Sequence, residues 1–208
     1  MERQYTLLFR LEGPMQSWGY RSRFDARDTA LEPTRSGVIG LVCSAMGIAR
    51  DEDISRFDGI RLGVRVDRQG RPARDYHTAM GVVRADGSGR DTVVSNRDYL
   101  SDASFTVGLE SQDRDLLDEI AESLRQPVWT LFLGRKSFPL SVPPIGPDDG
   151  CVAGTLEDHL NSGKLGRRIV LESDGGERTQ HDWPICFEER RFRPRSIRTV
   201  FEAGGDSA

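Results

Sequence analysis

The sequence predicts an α+β fold whose strands and helices follow the order βαββαβ. Three observations carry this. Apolar residues alternate at period two over 5–11, 60–66 and 103–109, the pattern of strands with one buried face. Apolar residues recur at helical spacing over 34–47 and 113–125. A β-branched and aromatic run at 128–133 completes the order.

In the first strand, Tyr5, Leu7, Phe9 and Leu11 share a face. The first helix lines up Val38, Leu41, Val42, Ala45 and Met46, with Thr34 as N-cap and Gly47 as the stop signal. Cys43 falls on that apolar face, where a free thiol serves as a small hydrophobe. Ile60, Leu62, Val64 and Val66 turn inward in the second strand, with Arg61 and Arg65 outward. The third repeats the pattern with Ala103, Phe105, Val107 and Leu109, and the second helix gathers Leu116, Leu117, Ile120, Ala121 and Leu124. Val128 to Leu133 is the fourth strand. This order is the ferredoxin-like, RRM-like arrangement, assigned to residues 1–145. Its antiparallel sheet carries helices on one face and leaves the other free, the arrangement RNA-recognition modules use.

Two stretches exceed that minimal frame. Residues 68–100 separate the second and third strands, far beyond ordinary hairpin length. Val82-Val83 and Val93-Val94 can pair around Asp86-Gly87-Ser88-Gly89, which predicts a projecting β-hairpin. Residues 146–208 form a β-rich C-terminal extension after the Pro143-Pro144 and Gly146-Pro147-Asp148-Asp149-Gly150 break, with short strands at 168–172 and 183–187.

Charge is unevenly spread. The net value is −4, yet residues 61–100 carry eight Arg against five Asp, and 190–198 carry five Arg and no acid. A basic groove is therefore compatible with an acidic chain. Nearly all the positive charge is Arg, since Lys136 and Lys164 are the only lysines; Arg binds phosphate bidentately and stacks on bases. Three unclustered cysteines suggest neither a zinc site nor a disulfide framework. No apolar run approaches the roughly 20 residues of a membrane span. The N-terminus runs directly into a strand pattern without signal-peptide architecture, so the cytoplasm is the expected location.

The candidate chemistry lies in loops. Gly13-Pro14-Met15-Gln16-Ser17-Trp18-Gly19 leaves the first strand through a tight turn. Trp18 offers a face for base stacking or a plug for the end of the sheet, and Gln16 can bond a base edge or a phosphate. Pro33-Thr34-Arg35-Ser36-Gly37 opens the first helix, where backbone N–H groups, a hydroxyl and a guanidinium can hold an anion; plain capping by Thr34 is the alternative. Between these loops lie Arg21, Arg23 and Arg27. Gly134-Arg135-Lys136-Ser137 is a Gly-hinged basic loop that lacks P-loop spacing. In the insertion, His77 beside Tyr76 is either a general base or a local hydrogen-bonding residue. Arg190-Arg191-Phe192-Arg193-Pro194-Arg195 is either an RNA contact or a solvated strand. Neither a carboxylate pair nor a His/Asp cluster has metal-ligand spacing, so no cofactor or metal is expected.

Leu11 to Gly19, Pro33 to Gly37 and Gly40-Leu41 together resemble the N-terminal signature of the CasD family, the RAMP-type subunits of type I-E CRISPR Cascade. The similarity continues through Arg74-Asp75-Tyr76-His77-Thr78, Tyr99 to Val107 and Leu133 to Ser137. The resemblance implies a ferredoxin-like core that holds the bent 5′ handle of CRISPR RNA, and it makes 68–100 a thumb against the backbone subunit CasC. It further implies that the large subunit CasA docks nearby and that target DNA is met only through the complex. It implies handle contacts at Gly13, Met15, Gln16, Ser17, Trp18, Arg21, Arg23, Thr34, Arg35, Ser36, Tyr76, His77, Arg97, Arg135 and Lys136. The resemblance extends to type I-C relatives, which cut precursor CRISPR RNA without metal, using Tyr, His and Lys. No Lys lies near Tyr76-His77 in sequence, so the expectation is a non-catalytic RNA-binding subunit, with metal-independent endoribonuclease as the alternative.

Overall fold

The computed structural model describes residues 3–19, 26–161, 164 and 166–202. Along the chain these form β1 (Tyr5–Glu12), β2 (Met15–Gln16), β3 (Ala26–Arg27), α1 (Arg35–Met46), a 3-10 turn (Ser55–Phe57), β4 (Arg61–Arg68), β5 (Arg71–Val83) and β6 (Arg90–Ser101). They continue with β7 (Ser104–Ser111), α2 (Arg114–Arg125), β8 (Val152–Ala153), α3 (Leu156–Leu160), β9 (Arg168–Glu172), β10 (Arg178–Cys186) and β11 (Arg191–Phe201). The fold is mixed α/β and mostly antiparallel. One sheet of the described residues runs β10-β11-β9-β4-β7-β1-β8; β2, β3 and β5 pair around β6 in a second.

The main core follows from strand alternation. Leu7, Phe9 and Leu11 of β1 register with Leu109, Val107 and Phe105 of β7. Leu62, Val64 and Val66 of β4 take the other side of the same rows. The buried faces of α1 and α2 cover them, with Val38, Val42, Leu117 and Ile120 inaccessible to solvent. Thr34 caps α1 by accepting the Gly37 N–H, and Gly47 stops it at φ 75. Burial pushes the Cys43 thiol up to about 12, consistent with a packing role.

Two expectations about this sheet need correction. Residues 128–133 do not form a fourth strand. Val128 and Trp129 donate their N–H groups to Ala45 and Ser44, capping the C-terminal end of α1. The β1 edge is instead met by Ser141, which donates to Glu12 O, by Pro144 O, which accepts from Arg10, and by β8. Pro139, Pro143, Pro144 and Pro147 break up that neighbouring segment, since proline has no ladder donor.

The second correction concerns the far face of the sheet, which is covered. Leu156 and Leu160 of α3 are fully buried against Ile169, Leu171 and Leu8. Gly63 and Gly108, cross-strand partners, make the room: a Cβ at either would lie 2.5 Å from a leucine methyl of α3. Glu157 of α3 receives Arg61 at 2.6 Å and Arg198 at 2.7 Å. The Arg61 hydrogen bonds hold its carboxyl down at about 2. A depressed carboxyl stabilises the fold above its unfolded value and loses that contribution as pH falls through the folded value. Glu157→Gln is therefore expected to melt below the parent at pH 7, and the two melting curves should converge as pH drops from 4.5 toward about 2. The site is partly solvated, which keeps the difference small.

The insertion folds as a hairpin: β5 and β6 pair from Arg71↔Ser101 to Val83↔Arg90. A shift between Ala79 and Val82 pairs Val82 and Val83 with Asp91 and Arg90, while Val93 and Val94 oppose Ala79 and Thr78. At the C-terminal end, β9 pairs with β4, so β9–β11 extend the main sheet. No helix among the described residues is long and apolar enough to cross a membrane.

Candidate RNA interface

Three loops far apart in sequence converge. Ser17 N donates to Leu133 O at 3.0 Å. Gly134, at φ +86, presses so close that a Cβ there would stand 1.7 Å from Ser17 O. Ser17 Oγ donates to Asp98 O at 3.2 Å, and Arg135 Nη2 donates to the same oxygen at 2.9 Å. The 13–19 loop, the 134–137 loop and the base of β6 thus share one junction. Met15 and Gln16 join it as β2, paired with Ser101 and Leu100 of β6.

Several residues that the sequence offers as contacts are spent inside this junction. Gly13 is buried under Leu133 and Pro139, both of which a Cβ would meet at 2.7 Å. Gln16 donates to Ala103 O at 2.8 Å and accepts from the Trp18 indole N–H at 3.1 Å. Trp18 is 1 % exposed and lies against the Gly37 backbone. It is a plug and offers no stacking face. Thr34 is buried as the cap of α1, and Ser36 Oγ sits 3.4 Å from its hydroxyl.

Arg35 is also 1 % exposed, so it does not meet phosphate. Its Nη1 donates to Glu172 at 2.9 Å and Ile60 O at 2.8 Å, and its Nη2 donates to Phe57 O at 2.9 Å. The guanidinium stacks 3.5 Å from the Trp183 ring centroid. Burial pushes its pKa down, and Glu172 opposes that. Arg195 joins through Glu172 at 3.0 Å and Asp182 at 2.6 Å. For Arg195, the hydrogen bond and charge of Asp182 override burial and raise the pKa. Asp182 also accepts the Arg35 backbone N–H at 2.8 Å. This quartet closes the N-terminal end of α1 against β9, β10 and β11.

The solvent-facing positive charge lies elsewhere. β3 pairs parallel to β6, which sets Arg27 beside Arg97, and Arg135 reaches Asp98 O next to them. Burial and then the repulsion of Arg97 and Arg27 push the Arg135 pKa down. Like charges on neighbouring strands are destabilising. Asp98 relieves little, because its carboxylate receives Arg74 at 2.6 and 3.2 Å. None of the three arginines has a carboxylate within salt-bridge distance among the described residues. Lys136 is exposed one residue further on.

Along β5, Asp75 pairs with Arg97 and His77 with Ser95, whereas Tyr76 pairs with Asn96. Alternation puts His77 on the arginine face and Tyr76 on the opposite one. Asp75 Oδ2 lies 3.8 Å from His77 Nδ1. Arg21 and Arg23 fall outside the described residues. The sequence marks Arg27 only as one of three arginines between two loops; its rung with Arg97 joins segments some seventy positions apart, which no local pattern encodes. Among the described residues, no group of three or more His, Cys, Asp or Glu could hold a metal ion.

Comparison with known proteins identifies the family of the chain. The family model described as CRISPR-associated protein (Cas_Cas5) matches residues 6–201. Over 153 residues the chain is 37% identical to the CRISPR system Cascade subunit CasD of Escherichia coli (strain K12), spanning 66% of this chain and 68% of that protein. A solved structure described as a crystal structure of Cas protein is 41% identical, with a TM-score of 0.76 and 94% of each chain covered. A chain from a CRISPR RNA-guided surveillance complex is 31% identical, with a TM-score of 0.80 over 97% of this chain and 92% of that one. With a match over nearly its whole length, the chain belongs to the CRISPR-associated Cas5 family.

Proposed function

We propose that this chain is a cytoplasmic, non-catalytic subunit of a type I-E Cascade that binds and caps the 5′ handle of CRISPR RNA. The observation that carries the reading is the Arg27–Arg97–Arg135 cluster. Three guanidiniums are held together at a loop junction without carboxylate partners among the described residues, an arrangement that a polyanion stabilises. A bent RNA backbone supplies several phosphates within that span, and Lys136 and the His77 face extend the same surface. Kinship with CasD and with a chain of an RNA-guided complex supports the same ligand.

In this proposal β1, α1, β4, β7 and α2 form the ferredoxin-like RAMP frame, with the Pro-rich edge in place of the fourth strand. The β5–β6 hairpin is the thumb, meeting the backbone subunit CasC; CasA docks nearby, and target DNA is met only through the assembled complex. Within the 146–208 extension, β9, β10 and β11 brace α1 through Glu172, Asp182 and Arg195. Tyr76 and His77 on opposite faces of β5 favour holding RNA over cutting it.

The test is retention of CRISPR RNA by the co-purified complex across a salt series. Phosphate-dominated binding falls steeply with salt. Arg97→Ala is expected to weaken handle binding about tenfold and to lower the salt slope by about one contact. Unchanged binding in Arg97→Ala and Arg135→Ala would remove the cluster from the interface. Repeat RNA incubated with the protein in EDTA is expected to stay intact; cleavage that His77→Ala abolishes would establish the endoribonuclease instead.

A further inference from the structure

The members of the arginine cluster repel one another, so something else in the fold holds them together. β3 is two residues long, and its Arg27 pairs with Arg97. Like charges on such a rung are destabilising, and a strand of two residues contributes few ladder bonds against them. The chain that follows Arg27 supplies the restraint. Thr29 Oγ1 accepts the Trp18 N–H at 2.9 Å, and Ala30 donates its own N–H to Trp18 O at 2.8 Å. Leu31 O accepts from Gln69 Nε2 at 3.0 Å. Thr34 then caps α1.

Glu32 is the joint of this segment. It is 4% exposed, and its two carboxylate oxygens are taken separately. Arg178 Nη2 donates to one at 2.8 Å and Arg168 Nη1 to the other at 3.0 Å. A carboxylate at that depth is retained only when it is paired. Both partners come from the C-terminal extension, Arg168 from β9 and Arg178 from β10. Arg168 turns Nη2 onto Gln69 Oε1 at 3.0 Å. Gln69 lies between β4 and β5, at the base of the hairpin that carries Arg97. The joint therefore ties the segment behind Arg27 to the root of the strand pair that presents Arg97. Arg135 shares the same geometry, since its Nη2 lies 3.5 Å from Arg27 O.

We infer that Glu32 is a positioning residue for RNA binding: clamped by Arg168 and Arg178, it holds Arg27 beside Arg97, so that the C-terminal extension sets the geometry of the phosphate-binding cluster. This rests on the reading of that cluster as an RNA contact. Glu32 is itself buried and negatively charged, so it meets no phosphate. Its effect on RNA passes through Arg27. Glu32→Gln keeps the shape of the side chain and removes the charge that holds both guanidiniums.

The test is a double-mutant cycle on the co-purified complex, with CRISPR RNA retention measured across a salt series. Arg27→Ala is expected to weaken binding about tenfold and to lower the salt slope by about one contact. Glu32→Gln should weaken it several-fold in the same sense. The double variant should bind within about twofold of Arg27→Ala, because a residue that acts through another is not additive with it. Hydrogen exchange in the full chain gives a readout without RNA. In Glu32→Gln the Ala30 amide should exchange faster by a larger factor than the amides of β7, which report global opening. Arg178→Ala opens the clamp at its solvent side, where that side chain is 56% exposed, and should show the same pattern if Glu32→Gln does not fold. Glu157→Gln is the control. It also unpairs a carboxylate from two arginines, but on α3, and should leave the salt slope unchanged. Parent-like RNA binding in Glu32→Gln and Arg178→Ala, beside weakened binding in Arg27→Ala, would overturn the inference and leave the RNA site standing. Losses that multiply in the double variant, or equal acceleration of the Ala30 and β7 amides, would overturn it as well. Parent-like binding by Arg27→Ala would remove Arg27 from the interface and the role of Glu32 with it.

Discussion

Replacing Arg35 by Met is expected to lower stability by about 3–5 kcal/mol, the usual result of removing one partner from a buried ion pair. The substitution strands Glu172 and Asp182, each nearly inaccessible, with Arg195 as the remaining cation of the quartet. It also withdraws the donors to Ile60 O and Phe57 O and the ring stack on Trp183. For a chain of this size the melting temperature should fall on the order of 10 °C. Arg35→Lys should recover only part of that, since one ammonium cannot reach two carbonyls and a carboxylate in the fork geometry of Arg. Differential scanning calorimetry checks both variants. A parent-like melt together with lost RNA binding would return Arg35 to the interface that its sequence context suggests.

The second large effect is expected at Gly134→Ala. The residue sits at φ +86, and its Cβ would overlap Ser17 O at 1.7 Å. Left-handed backbone alone costs a residue with a Cβ roughly 1–2 kcal/mol. The overlap involves main chain, so it is relieved only by moving one loop off the other. That breaks the Ser17 N–H to Leu133 O bond and shifts Arg135 off Asp98 O. The total is roughly 2–4 kcal/mol, with weaker handle binding measured in parallel. Gly87→Ala is the control: φ is also positive, at +71, but open space surrounds it at the hairpin tip. It should pay the backbone term alone and bind RNA as the parent does. Equal behaviour of the two variants would show that the loop junction does not position the arginines.

The regular elements are legible in the sequence because periodicity reports burial directly. Leu7, Phe9 and Leu11 alternate because one face of β1 meets α1 and α2, and Gly47 ends α1 because that position is left-handed. The 128–133 run misleads for a physical reason. Val128 to Leu133 has strand composition, but Pro127 and the C-terminal carbonyls of α1 capture its backbone first. Trp18 and Arg35 mislead differently. A tryptophan after a turn and an arginine at a helix start suit RNA chemically, yet residue type does not say which side of a loop faces inward. Glu172, Asp182 and Arg195 decide that for Arg35, and they lie well over a hundred positions downstream. The covered second face of the sheet is hidden for the same reason: α3, whose leucines fill the room at Gly63 and Gly108, lies far downstream of both.

The buried charges at the start of α1 also constrain how the chain is made. Arg35 needs Glu172, and Glu32 needs Arg168 and Arg178, at 3.0 and 2.8 Å. On the ribosome the N-terminal partners emerge first, and at typical elongation rates their counter-charges follow on the order of ten seconds later. Through that interval Arg35 and Glu32 stay hydrated, and the start of α1 becomes dry only when β9, β10 and β11 arrive with the counter-charges. The N-terminal end of α1 is therefore among the last parts of the chain to close.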